Sequence, residues 1–254
     1  LAAVAGCGDD DTTLLFDQAV PKKDGGAADR ALPVKDKAAA DKKVVVKDGP
    51  SGPLPGVGKL SGSCGVLDDT EWKSTKPFLF RNAIDFGTAT FDWTKLSVGG
   101  QKIWKEGNLG GSSVHSEIFA HEVLYRCELA KLLKTESKIT YTNTGGKKTD
   151  LLLNIDTRKI GVSVTRAYHY PPTSPYTEAE AKKLLDKKLA DLPLSKANAA
   201  PADAWTRSIL HVLAYNKQHA DMVQAAWSKQ IAAGTKGDAI LMLTVTDGND
   251  AFIY

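Results

Sequence analysis

Apolar positions are thin and aperiodic up to about residue 60 and dense beyond it. The stretch "DKAAADKKVVVKDGPSGPLPGVG" has no aromatic residue and cannot bury enough apolar surface to offset chain entropy. The pattern therefore predicts a disordered tether over residues 8–63 and a single folded domain over residues 64–254.

Within that domain the apolar period changes from segment to segment. Residues 64–111 carry short apolar runs between turn signals such as "GGQ" and "GNLGG" and read as loops with short strands or turns. Ile118, Val123, Leu124, Leu129, Leu132 and Leu133 recur at helical spacing, which predicts a helix from Ser112 to Ser137. A strand over Lys138–Thr142 and a Gly-Gly turn follow. Thr177, with Glu180 three residues on, forms a capping-box signature for a second helix ending near Leu192. A third, long helix is expected from an N-cap at Asp203 to Gly234. "AILMLTVTDGNDAFIY" reads as a buried strand, a turn at Asp247-Gly248-Asn249 and a short last strand. The order of elements predicts an α/β domain with a mixed central sheet flanked by helices.

The segment "KKTDLLLNIDTRKIGVSVTRA" (Lys147–Ala167) folds back on itself as a β-hairpin. A turn at Asp156–Lys159 sets Ile155 opposite Ile160, Leu153 opposite Val162 and Leu151 opposite Val164. All six are aliphatic, so that face belongs in a core. Strand alternation then leaves Asp150, Ser163 and Thr165 on the other face.

A helix, a strand, a hairpin carrying an acid, then a helix and a strand resemble the restriction-endonuclease-like, or PD-(D/E)XK, superfamily over about residues 112–246. Asp150 falls on that family's first motif acid. Val162-Ser163-Val164-Thr165 falls where members carry an acid, any residue and a lysine. The resemblance implies Mg²⁺ held by carboxylates, and a lysine that neutralises phosphate charge. Ser163 and Thr165 supply neither, which points to a nuclease-like core without nuclease chemistry. The alternative is a relocated site: Asp150 with Glu117 or Glu122 of the first helix, and Lys182 of the second helix as the amine. Mg²⁺ is expected only under that alternative, and no cofactor otherwise.

Charge changes the picture little. The net charge is +3, and residues 1–64 hold nine Asp against nine Lys or Arg. So small a surplus predicts no strong long-range attraction to nucleic acid. No run of about 20 apolar residues is present to span a membrane. The first seven residues, "LAAVAGC", look like the end of a bacterial lipoprotein signal, with Val4-Ala5-Gly6-Cys7 as a lipobox and Cys7 as the lipidated residue. That places the expected protein in the bacterial cell envelope, anchored by lipid outside the cytoplasm. Two further cysteines, Cys64 and Cys127, are then expected to form a disulfide.

Other pairings are weaker. Glu117 and His121 share a helix face but lack a third metal ligand. His211, Tyr215 and His219 form a stripe whose histidines are too far apart for one ion. Gly145–Thr149 reads as a turn rather than a phosphate loop, and Asp247–Asp250 as a hairpin turn. "TRAYHYPPTSPYT" is different: Arg166, Tyr168, His169 and Tyr170 on a proline-stiffened loop suit recognition. The resulting expectation is an envelope lipoprotein with a non-catalytic interaction or structural module, docking on an envelope protein that the sequence does not identify. A metal-dependent nuclease with relocated catalytic residues is the alternative.

Overall fold

The computed structural model describes residues 58–109, 113–172, 174–234 and 237–254. The lipobox-like segment, Cys7 and the expected tether up to residue 57 lie outside these residues.

A seven-stranded mixed sheet organises the chain. Its strands are β1 (Lys59–Gly62), β2 (Phe78–Asp85), β3 (Lys131–Thr135), β4 (Leu151–Ile155), β5 (Arg158–Ala167), β6 (Arg207–Ala214) and β7 (Ile240–Asp247), in the spatial order β1-β2-β7-β6-β5-β4-β3. The central pairs β2/β7, β7/β6 and β6/β5 are parallel. Both margins are antiparallel: β1 on β2, and the β5-β4-β3 meander. The helices are α1 (Asp69–Lys73), α2 (Val98–Glu106), α3 (Val114–Glu128), α4 (Glu178–Asn198) and α5 (Lys217–Ala232). The expected α/β class with a mixed, helix-flanked sheet is therefore what the chain adopts.

Two cores follow from strand alternation. Ile118, Phe119 and Leu124 of α3 pack with Leu151, Leu153, Ile155, Ile160 and Val162 on one face. Ala181, Leu185 and Leu192 of α4, with Val223 and Trp227 of α5, pack with Leu210, Val212, Leu241 and Leu243 on the other. Strands buried on both faces read as continuous apolar runs. For that reason "RSILHVLA" was indistinguishable from a helix by period. It is the fully buried strand β6, and the expected helix from Asp203 is only the later α5, capped by Asn216.

Other boundaries move for related reasons. The expected Ser112–Ser137 helix stops at Glu128, where Leu129 turns left-handed (φ 54°). Its predicted tail, with Leu132 and Leu133, is strand β3. Residues 138–142 contribute an isolated bridge, Tyr141 to Ala199, rather than a strand. The last strand is instead a short 3₁₀ turn, Ala251–Ile253. Strand β1 begins at Lys59, inside the expected tether, and the segment expected to be loops contains the eight-residue strand β2. Helix α4 has the predicted capping box but continues through Pro193, because Leu192 and Ser195 lie on its buried stripe. One proline costs a helix about 3 kcal/mol, which burial at this interface offsets.

The hairpin forms, with its register shifted. Leu151 pairs with Val162, Leu153 with Ile160 and Ile155 with Arg158. The turn has two residues, Asp156 and Thr157, both at positive φ (47° and 68°). Such a turn matches the right-handed twist of the flanking strands better than the longer one predicted. The slip is by two residues, an even number, so the same six aliphatic side chains still face inward.

Cys64 and Cys127 are bonded, as expected, with Cα atoms 4.5 Å apart. Beside the bond, Glu128 accepts from the Val66 and Leu67 main-chain N–H groups, both at 3.1 Å. The segment after β1 is thereby tied to the end of α3. The bridge spans 63 residues of sequence. Removing it with Cys64→Ser and Cys127→Ser is expected to destabilise the domain by about 2–5 kcal/mol. Urea unfolding of the double variant, beside the oxidised wild type, checks this.

Candidate active site

Asp150 stands just before β4 and is held by main chain on both sides. Its N–H donates to Val162 O (3.1 Å), and its carboxylate Oδ2 accepts from Val164 N–H (2.6 Å). The approach to it is fixed from α4. Asn198 accepts from Asn143 N–H and donates to the Asn143 and Lys147 carbonyls. Tyr141 Oη is bonded to both the N–H and the carbonyl of Thr149.

Asp150 is not alone. It lines a cavity of about 370 Å³ with Glu117, Glu136, Lys188, Thr165 and Arg166. Glu117 comes from the first turn of α3, Glu136 from the turn after β3, and Lys188 from the middle of α4. The picture of a single acid beside two hydroxyls is thus corrected. Ser163 is buried beside the Asp150 carboxylate, whose pKa it helps to lower, and Thr165 forms part of the cavity wall.

The carboxylates burden one another. Glu117 is 2% exposed; its Oε1 accepts from Asn108 Nδ2 (2.7 Å), while its Oε2 is buried without a partner among the described residues. Burial and then the Asp150 charge push its pKa up to about 8. Burial raises Asp150 as well, against the pull of Lys188 and the Val164 N–H. Glu136 is raised by burial and by Asp150, with Lys148 and Lys188 opposing. Lys188 Nζ donates to Val164 O at 3.2 Å. As the side chains stand, no three His, Cys, Asp or Glu among the described residues are grouped to hold a metal ion.

Of the residues suggested for a relocated site, Asp150 and Glu117 meet. Glu122 does not: it is buried at the far side of α3, accepting from Ser97 N–H (2.9 Å) and Oγ (2.5 Å). Lys182 is exposed and bonded to Asp186. The lysine that does enter, Lys188, is six positions on, about 240° around the helix. It lies on the stripe Ala181, Leu185, Leu192, Ser195 that α4 buries. A lysine at a core position was the available signal. Glu136 gives no such signal, because the apolar spacing of its segment reads as the tail of a helix.

The other candidates have structural places. His121 and Glu117 do not share a site: His121 is stacked on Tyr125 near another recess. His211 bonds Thr244 in the core, where burial lowers its pKa to about 3, and His219 bonds Ala167 O. Gly145–Thr149 is a loop between Tyr141 and β4, and Gly248 makes the turn after β7 at φ 77°.

The expected recognition segment divides: Arg166 lies within β5, and Tyr168, His169 and Tyr170 lie on the loop after it. Arg166 donates to Ile253 O (2.7 Å), and Tyr168 stacks on Tyr254 with centroids 4.9 Å apart. His169 pairs with Glu180, the acid of the α4 capping box. Tyr170 is 81% exposed.

No family model and no solved structure matches the chain. Over 139 residues, 52% of this chain, it is 39% identical to the AAC-rich mRNA clone AAC4 protein of Dictyostelium discoideum. The matched stretch spans about a fifth of that protein's length (20%), and its name states no activity.

Glu117 yields a pH test. Its folded pKa of about 8 lies above the unfolded value of 4.5, so its carboxyl is held neutral in the fold. The associated stability is complete below about pH 4.5 and is lost as pH rises through about 8. Glu117→Gln is therefore expected to match wild type near pH 4 and exceed it at pH 9 by a few kcal/mol, on the order of the shift. Denaturation midpoints across pH 4–9 check the sign. Equal pH dependence in both proteins would refute it.

Proposed function

We propose that the domain is a metal-dependent phosphodiester hydrolase of nuclease-like construction whose catalytic residues have relocated. One observation carries the reading: Glu117, Glu136, Asp150 and Lys188, from four separate elements, converge in one cavity. The run α3, β3, β4, β5, α4, β6 supports it, being a helix, an antiparallel meander, a helix and a strand parallel to β5. We take that order as support for the PD-(D/E)XK resemblance, which is part of the proposal.

A divalent cation suits these residues. Glu117 carries a buried oxygen without a partner among the described residues, and its charge is opposed by Asp150. Mg²⁺ commonly needs only one or two protein carboxylates, with water and substrate completing its shell. Glu117 and Asp150 would hold it, and it would supply charge neutralisation and activation of water. Lys188 takes the part of the ammonium missing at Thr165 and faces the phosphate from α4. Arg166 adds a second cation at the cavity wall. The net charge of +3 describes long-range attraction, whereas these cations act at contact distance.

We further read the protein as exported and anchored in a bacterial envelope. The Cys64–Cys127 disulfide supports the export alone, since such bonds persist in oxidising compartments, and the anchor is read from the lipobox-like Val4–Cys7. A second reading, a non-catalytic module docking on an envelope partner, draws on Ser163 and Thr165 standing at the usual acid and lysine positions.

The test is cleavage of labelled single- and double-stranded DNA and RNA with Mg²⁺, Mn²⁺ or EDTA. Metal-dependent cleavage is expected, with losses of roughly 10²–10⁴-fold in Asp150→Ala, Glu117→Gln and Lys188→Met. Lys182→Ala should be unaffected. In parallel, Mg²⁺ should stabilise wild type at pH 8 and leave Glu117→Gln unchanged. Absence of both cleavage and Mg²⁺ stabilisation would leave the non-catalytic reading in place.

A further inference from the structure

The acid cavity has a neighbour. Thr165 and Arg166 form a wall shared with an open recess of about 360 Å³, whose other lining residues are Tyr168 and Tyr254. The two spaces follow one another along the end of β5. The recess has two fixed features. Arg166 is held by its bond to Ile253 O, which uses one of five guanidinium N–H donors. Tyr168 is half-buried, stacked on Tyr254 and met edge-on by Tyr215 at 5.4 Å. Tyr254 is anchored in turn through Thr246 Oγ1 (2.8 Å), which also bonds Asp250. This gives a supported aromatic wall beside a positioned cation.

From this juxtaposition we infer that the substrate is single-stranded nucleic acid, with the base next to the scissile phosphate packed against Tyr168, which Tyr254 backs, and its phosphate on Arg166. The inference rests on the hydrolase reading for the role of the neighbouring acid cavity. An aromatic ring accepts any base with an accessible face, and a base paired within a duplex presents only its edges. A recess lined by aromatic rings and one arginine therefore selects unpaired bases without selecting sequence. Arg166 belongs to both spaces, so it couples the held nucleotide to the position of the bond to be cut. Tyr170, fully outside at 81% exposure, lies two residues beyond Tyr168 on the same loop.

The experiment measures binding apart from cleavage. Fluorescence anisotropy with the full chain in EDTA compares a labelled dT oligonucleotide, the same oligonucleotide with abasic sites, and a duplex of equal length. The intact single strand is expected to bind roughly tenfold more tightly than either of the others. Tyr168→Ala should erase the difference between intact and abasic strands, and Tyr168→Phe, which keeps the ring, should retain it. The abasic comparison on wild type stands even if Tyr168→Ala fails to fold. Equal affinity for intact and abasic strands, or a duplex bound as tightly as the single strand, would overturn the inference. Base-dependent binding without any metal-dependent cleavage would uphold the single-strand recess while removing the hydrolase reading. Cleavage of duplex with no base dependence would do the reverse.

Discussion

Six aliphatic side chains on one face of the β4–β5 hairpin set the geometry on which everything else depends. Leu151, Leu153, Ile155, Ile160, Val162 and Val164 face α3 and the first core. Burying a set of that size contributes about 1.5–3 kcal/mol per side chain, before any loss of chain entropy. A slip by one residue would turn the whole set outward, whereas a slip by two would preserve the faces. The hairpin is thus strongly specified in orientation and less so in register. The turn chemistry at Asp156 and Thr157 selects among the even registers.

Once that face is buried, the position of Asp150 follows. It sits where β4 begins, and its carboxylate takes over a main-chain bond to Val164 N–H (2.6 Å). The elements that reach it do so for packing reasons of their own. Helix α3 crosses the hairpin and brings Glu117. Strand β3 extends the meander and delivers Glu136. Helix α4 lies over the opposite face and inserts Lys188 at a stripe position. Three carboxyl groups crowded against one ammonium make an electrostatically costly arrangement. Burial raises all three carboxyl pKa values, and the Asp150 charge adds to the rise at Glu117 and Glu136. Clusters of this kind, with pKa values displaced by burial and by neighbours, are characteristic of sites that act on charge.

The start of the described chain is fastened at the far end of α3 from this cavity. The Cys64–Cys127 bond and the Glu128 carboxylate hold residues 64–67 against the helix terminus. The helix that presents Glu117 at one end is therefore pinned at the other. Its interior is buried almost throughout, including Glu122 and His121. Such a helix has little freedom to rotate, which keeps Glu117 directed into the cavity.

The sequence by itself determined the α/β class, the inward face of the hairpin, the capping box at Thr177 and Glu180, and the pairing of Cys64 with Cys127. Each rests on a local pattern or, for the cysteines, on a small count read against a compartment. It also brought forward Asp150 and Glu117, two of the cavity's acids, and Arg166 and Tyr168 in its neighbour. Tertiary structure alone decided that "RSILHVLA" is a strand, because an apolar run buried on both faces carries no period. It likewise decided that Leu132 and Leu133 join the sheet and that α4 passes through Pro193. The choice of Lys188 over Lys182, and the entry of Glu136, were also tertiary matters. A lysine's direction depends on how its helix is rotated against the sheet, and that rotation is set by packing partners far away in sequence.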